Sequence, residues 1–188
     1  MPRNAARRPP EAAQPDPVER ILAQWQRERP DLDSTAIALF GTIARVYLLS
    51  RPRINRILKD FGLTREMFDV LATLRRAGPP YRLTPTQLSR SLVLTGPGMT
   101  NRLDRLEEDG LVVRTPDRRD RRSLHISLSS DGFKLIDKVA PRLAEGEDEM
   151  LAGFDRGQTT RLIELLDELA EHLMQADTPQ VSESPLLA

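Results

Sequence analysis

The residues best suited to chemistry lie between positions 95 and 122. Met99, Leu103 and Leu106 recur at i, i+4 and i+7, the spacing of one buried helix stripe. At about 100° per residue, Asn101 and Arg105 then point nearly opposite that stripe. Across the major groove an Asn side chain pairs with adenine and an Arg with guanine. Thr95, Gly96, Gly98 and Thr100 keep the helix start small, so that its free amides can approach phosphates. A merely solvated helix face explains Asn101 and Arg105 equally well. The next segment weighs against that reading: from Arg114 to Arg122 there are five arginines and two aspartates. Arg118, Arg119, Arg121 and Arg122 fall between two strand-like runs, LVVRT and SLHISL, at the tip of a predicted two-stranded hairpin. Such a tip reaches phosphates or a narrow minor groove, whose potential favours Arg. Asp117 and Asp120 are too few to neutralise it. Double-stranded DNA is the expected partner.

Other chemistries fare worse. The 188 residues include no Cys, which excludes disulfides, thiol nucleophiles and thiolate-bound zinc. Only His125 and His172 are present, far apart, and His125 reads as an ordinary strand residue. Gly96-Pro97-Gly98 is too short for a phosphate loop and lacks its Lys. Glu107, Glu108 and Asp109 cluster at a helix end with no base partner or metal spacing, and Ser129-Ser130 has no neighbouring His. An enzyme, a metal and a cofactor are therefore not expected. Aromatics at 4% disfavour a sheet that stacks single-stranded bases. With 28 basic and 28 acidic residues the chain is neutral, unlike a non-specific architectural DNA protein. The charge is nevertheless segregated: residues 145–177 hold ten acids and two arginines. An interaction adaptor built on a winged domain, docking through that acidic end, stays open as the alternative. No apolar run suits a membrane span or a signal peptide, so a cytoplasmic location is expected.

The surrounding elements read as mainly α with a small β wing. Five of the fifteen prolines fall in the first 17 residues, and residues 177–188 are polar. Residues 1–15 and 177–188 read as disordered tails around an ordered body, 16–176. Asp16-Pro17 opens a short helix with Ile21, Leu22 and Trp25, which Pro30 ends. A long apolar pattern from Ile37 to Phe61 follows, in which Pro52 predicts a kink or split. Gly62 closes it, and Thr64 caps a helix with Phe68, Leu71 and Leu74 on one face. Thr84-Pro85-Thr86-Gln87 is a capping-box start. Ser129, and then Asp155 with Gln158, start two final helices. Helix, short helix, helix and charged hairpin is the order of a winged helix-turn-helix, here about 64–128. The apolar stripes at Ile21 to Trp25 and Leu162 to Leu173 fall outside it and need cover, from a larger core or a second copy. The flanking helices, about 16–61 and 129–176, are thus read as dimerisation helices.

The run LTPTQLSRSLVLTGPGMTNRLDRLEEDGLVVRTPDRRDRRSLHISLSSDG resembles the DNA-binding core of the MarR family of bacterial transcription regulators. The Asp-x-Arg-Asp-x-Arg wing, Asp117 to Arg122, and the Ser-x-x-Gly helix start carry that resemblance, which extends from about Trp25 to Leu173. It implies a homodimer, most often a repressor, on a palindromic operator, with Arg122 in the minor groove braced by Asp120. Pro52 departs from the family's pattern. Arg102 lies about 70° from the centre of the buried stripe, bordering the interior; a core-edge Arg paired with an acid explains it as simply. Trp25 reads as core or pocket, and Asp69 as surface charge or pocket carboxylate. With Arg114 these residues, and the first helix with WQRERPDLD, resemble the urate-responsive, PecS-like branch. That resemblance implies that Trp25 and Arg102 hold a planar anion (urate, a related purine or a phenolic). Asp69 would be repelled by it, and Arg114 would help to position the recognition helix.

Overall fold

The computed structural model describes residues 16–92, 98–116 and 124–176. Its contacts divide the chain after Arg65 into two units. The first holds α1 (Pro17–Glu28) and α2 (Thr35–Lys59). Asp16 starts α1 by accepting a hydrogen bond from the Val18 amide at 2.7 Å, and it also pairs with Arg45 of α2. Pro17 occupies the first helical position, where a missing N–H costs nothing. Gly41 brings α2 close to α1, since a Cβ there would touch Val18 at 3.3 Å. No residue of α1 is buried.

Helix α2 runs through Pro52 as one element, so of the predicted kink or split the split does not occur. A proline removes one N–H and displaces the carbonyl four residues back. Residues 46–49 are all exposed, so water can take up the freed carbonyl of Leu48. The helix ends at Gly62, whose φ of 71° admits the turn. Leu63 N–H donates to the Leu58 carbonyl at 3.1 Å and Gly62 N–H to that of Lys59 at 3.0 Å, a Schellman motif.

The second unit carries α3 (Arg65–Arg76, entered at the boundary), β1 (Arg82–Leu83), α4 (Pro85–Ser91) and α5 (Met99–Glu108). They are followed by β2 (Val112–Pro116), β3 (Leu124–Leu128), α6 (Ser130–Met150) and α7 (Arg156–Ala176). The capping box of α4 is complete: Thr84 N–H donates to Gln87 Oε1 at 2.8 Å, and Gln87 N–H to Thr84 Oγ at 3.2 Å. The sheet corrects one expectation. It has three antiparallel strands in the order β1-β3-β2, not two. The added strand pairs Arg82 with Ser127 and Leu83 with Ile126. Two residues carry no alternation for a sequence pattern to reveal.

Leu71, Leu74, Leu88, Leu106, Ile126 and Ile136 are at most 1% exposed. They come from α3, α4, α5, β3 and α6, and burying each contributes roughly 1.5–3 kcal/mol. Helix α6 starts at a tight junction with the wing. Ser129 Oγ accepts from the Gly132 amide at 2.9 Å and donates to the Gly110 carbonyl at 2.6 Å. A Cβ on Gly132 would overlap the Leu111 carbonyl oxygen, so only glycine fits there. Helix α7 is capped reciprocally by Asp155 and Gln158, at 2.8 and 2.9 Å. Among the described residues, no helix is long and apolar enough to cross a membrane, and no cluster of ligating side chains could hold a metal ion.

Candidate nucleic-acid interface

Helix α5 is fixed by its apolar side and open on the other. Leu103 and Leu106 are buried and Met99 half-buried, while Thr100, Asn101 and Arg105 are exposed. Asn101 and Arg105 therefore share one outward face, a turn apart. Gly98 precedes the helix in the left-handed region, at φ 98°, and no side chain among the described residues caps the first turn. The first turn also holds no acidic residue. Among the described residues, the first amides and the positive end of the helix dipole thus stay available to an anion such as phosphate.

The far end of α5 repeats the device that ends α2. Leu111 N–H donates to the Leu106 carbonyl at 2.8 Å and Gly110 N–H to that of Glu107 at 2.9 Å, with Gly110 at φ 69°. The chain enters β2 directly. There Val112 is buried and Arg114, two residues on and on the same strand face, is half-buried. Arg114 lies within β2, which continues to Pro116.

Arg114 fastens the wing to α5. Its Nη2 donates to Asp104 Oδ1 at 2.5 Å, and its Nε lies 3.3 Å from Glu107 Oε2 without hydrogen-bond geometry. Acids in the C-terminal half of a helix oppose its dipole, by about 0.3–1 kcal/mol each. On a DNA-facing helix they would also repel phosphates. Arg114 offsets both effects for two of the four acids between 104 and 109. By sequence Glu107 reads only as part of an acidic cluster at the helix end, and Asp104 does not stand out. Nothing local marks that pairing, because the strand must first fold back along the helix.

The remaining expected contacts divide as follows. Thr95, Arg118, Arg119 and Arg122, with Asp117 and Asp120, lie outside the described residues. Asp69 is on α3, part-buried between the buried Phe68 and Val70, and Arg102 on α5 is part-buried. Trp25 belongs to the first unit and is 42% exposed, although the sequence put it on an interior stripe. In that unit an open groove of about 430 Å³ is lined by Leu22, Ala23, Gln26, Asp33, Ser34 and Ala38, among others. It does not suit an anion. Hydrogen bonds from the Thr35 hydroxyl and amide hold the Asp33 carboxyl below the usual carboxylate range, so it is charged.

A model of the MarR family matches residues 61–123. The HTH-type transcriptional regulator PecS of Dickeya dadantii (strain 3937) is 40% identical over 157 residues, covering 84% of this chain and 95% of that protein. A crystal structure of a mutant MarR from Escherichia coli, complexed with operator DNA, is similar at TM-score 0.64 and 25% identity, covering 72% of this chain and 96% of that one. The organohalide-sensing regulator RdhR-CbdbA1625 in its 2,4-dichlorophenol-bound form gives TM-score 0.70 at 23% identity, covering 84% and 92%.

Proposed function

The chain belongs to the MarR family of winged helix-turn-helix transcription regulators, and from that premise we propose that it represses from a palindromic operator as a homodimer, released by a planar anion such as urate. It is a DNA-binding regulator and not an enzyme. The carrying observation is the outward face of α5, with Asn101 and Arg105 exposed opposite buried Leu103 and Leu106. In this reading Asn101 and Arg105 read bases, Thr95, Gly98 and Thr100 meet phosphate, and Arg118, Arg119 and Arg122 serve the wing. The winged helix-turn-helix, about 64–128, supplies the contacts, and the helices of about 16–61 and 129–176 join two copies. Supporting the dimer, neither α1 nor α7 buries a single residue within the chain. One winged domain also offers little area for specific affinity, which twofold pairing doubles.

For the ligand, Trp25 and Arg102 hold the planar anion by stacking and a charge-assisted bond, and Asp69 is repelled by it. Arg114, engaged with Asp104 and Glu107, passes the shift to α5. The 40% identity to PecS supports the branch, and the dichlorophenol-bound structure is a fold of this kind with a planar phenolic ligand. The alternative is a winged-helix protein, DNA-binding or adaptor, with no small-molecule ligand.

Operator release in gel shift tests these assignments together. Arg105→Ala should cost about 1–3 kcal/mol and relax preference at one base per half-site. Arg102→Ala and Trp25→Ala should bind operator as the parent does but resist release by urate, and Asp69→Asn should release more weakly. Parent-like base preference in Arg105→Ala overturns the DNA face. Unchanged release in the other three variants overturns the pocket, and an operator complex indifferent to every planar anion favours the ligand-free alternative.

A further inference from the structure

Four side chains outside the DNA face converge where α3 ends and α6 begins. Arg75, in the last turn of α3, donates from Nε to Asp137 Oδ1 at 2.7 Å. The same guanidinium carbon lies 4.6 Å from the centre of the Phe133 ring and 5.3 Å from that of Tyr81. Those two rings meet edge to face at 5.0 Å and 75°. Phe133 and Asp137 are i, i+4 on α6 and share one face. Tyr81 is held in the left-handed region at φ 55°, which a non-glycine residue rarely adopts. Its amide donates to the Gly78 carbonyl at 2.6 Å, and its carbonyl accepts from Leu128 of β3 at 3.3 Å.

Stability alone gives little reason for this cluster. Arg75 and Asp137 keep 39% and 44% of their side chains exposed, and such pairs contribute little. Direction is what they add. Helix α6 is pinned at its start by the Gly132–Leu111 junction, and Gly132, Ile136, Val139 and Leu143 form its buried stripe. Apolar burial is itself non-directional. Phe133 and Asp137 stand about 100° round from that stripe, where a lateral bond fixes the helix angle.

We propose that Arg75, Tyr81, Phe133 and Asp137 form a clasp that sets the angle of α6 and thereby the half-site spacing that the regulator accepts. This rests on the twofold reading above, in which α6 leads out of the winged unit as the first of the C-terminal dimerisation helices. From Gly132 to Met150 the helix is about 27 Å long at 1.5 Å per residue. A pivot of about 10° would move its far end by about 5 Å, more than the 3.4 Å rise of one base pair. Arg75 is thus a positioning residue for the recognition helices and touches no DNA itself.

The test uses the full chain and an operator that the parent selects from a randomised palindromic pool. Affinity is measured on that operator and on versions with one or two base pairs added to or removed from the centre. Arg75→Gln and Asp137→Asn should lower a parent preference of about tenfold per base pair to about threefold or less. Arg75→Lys, which keeps charge and ring contact, should restore it. Asp137→Asn removes only the ion pair from an exposed position, so it guards against misfolding at Arg75. An unchanged spacing profile in both variants, or an equal loss at every spacing, overturns the clasp while leaving the regulator intact. A parent that selects no palindrome removes the twofold reading and the clasp with it.

Discussion

Helices α3 and α7 have similar sequence logic and opposite fates. In α3 seven of twelve residues are buried, from Met67 to Leu74 with only Asp69 part-exposed. In α7 none of 21 is buried, and Leu162, Ile163, Leu165, Leu166 and Leu173 stay 41–54% exposed. Both carry apolar residues at helical spacing. The difference teaches that α3 is covered by its own chain, whereas the stripe of α7 is complete only against something else. Exposed apolar patches of this extent mark association surfaces.

Deleting residues 155–188 is the most drastic way to break the contrast. We expect operator binding to vanish and sedimentation to report a monomer, although the winged unit is untouched; a truncated monomer with full affinity would sink the dimer reading. Next comes a matched pair of substitutions. Leu71→Ala should cost about 2–5 kcal/mol in urea unfolding at any protein concentration. Leu166→Ala should instead show its effect through concentration, raising the dissociation constant of the dimer. If both variants lose the same concentration-independent stability, α7 packs within its own chain. The smallest effect tests the start of α7. Asp155→Ala removes the cap and should cost about 1 kcal/mol, read as weaker association and not as a lower stability of the winged unit.

Local chemistry was readable in the sequence, and long-range pairing was not. Thr84 with Gln87, Asp155 with Gln158 and Ser129 with Gly132 each act across three residues, so their spacing alone announces the helix starts. Asn101 and Arg105 follow from helix geometry once Leu103 and Leu106 are taken as buried. By contrast Arg75 meets Asp137 across 62 positions, and Arg114 meets Asp104 only after the strand turns back. Strand β1 was missed because its two residues are held by partners on β3, not by a pattern of their own. Pro52 shows the converse: its local signal for a split is overridden where the surrounding residues are exposed and the freed carbonyl can meet water. Trp25 was expected inside, and its exposure in α1 reflects the same incompleteness as α7.

Gly132 has a consequence for heredity. Any substitution there adds at least a methyl group where the Leu111 carbonyl oxygen already sits, so the first turn of α6 must lift from the wing. A single base change can do this without altering a residue on the DNA face. In a population under selection for loss of the regulator's activity, that codon is a large target for its size. Alleles arising there would leave every side chain of the outward α5 face intact and still disturb the unit that carries it.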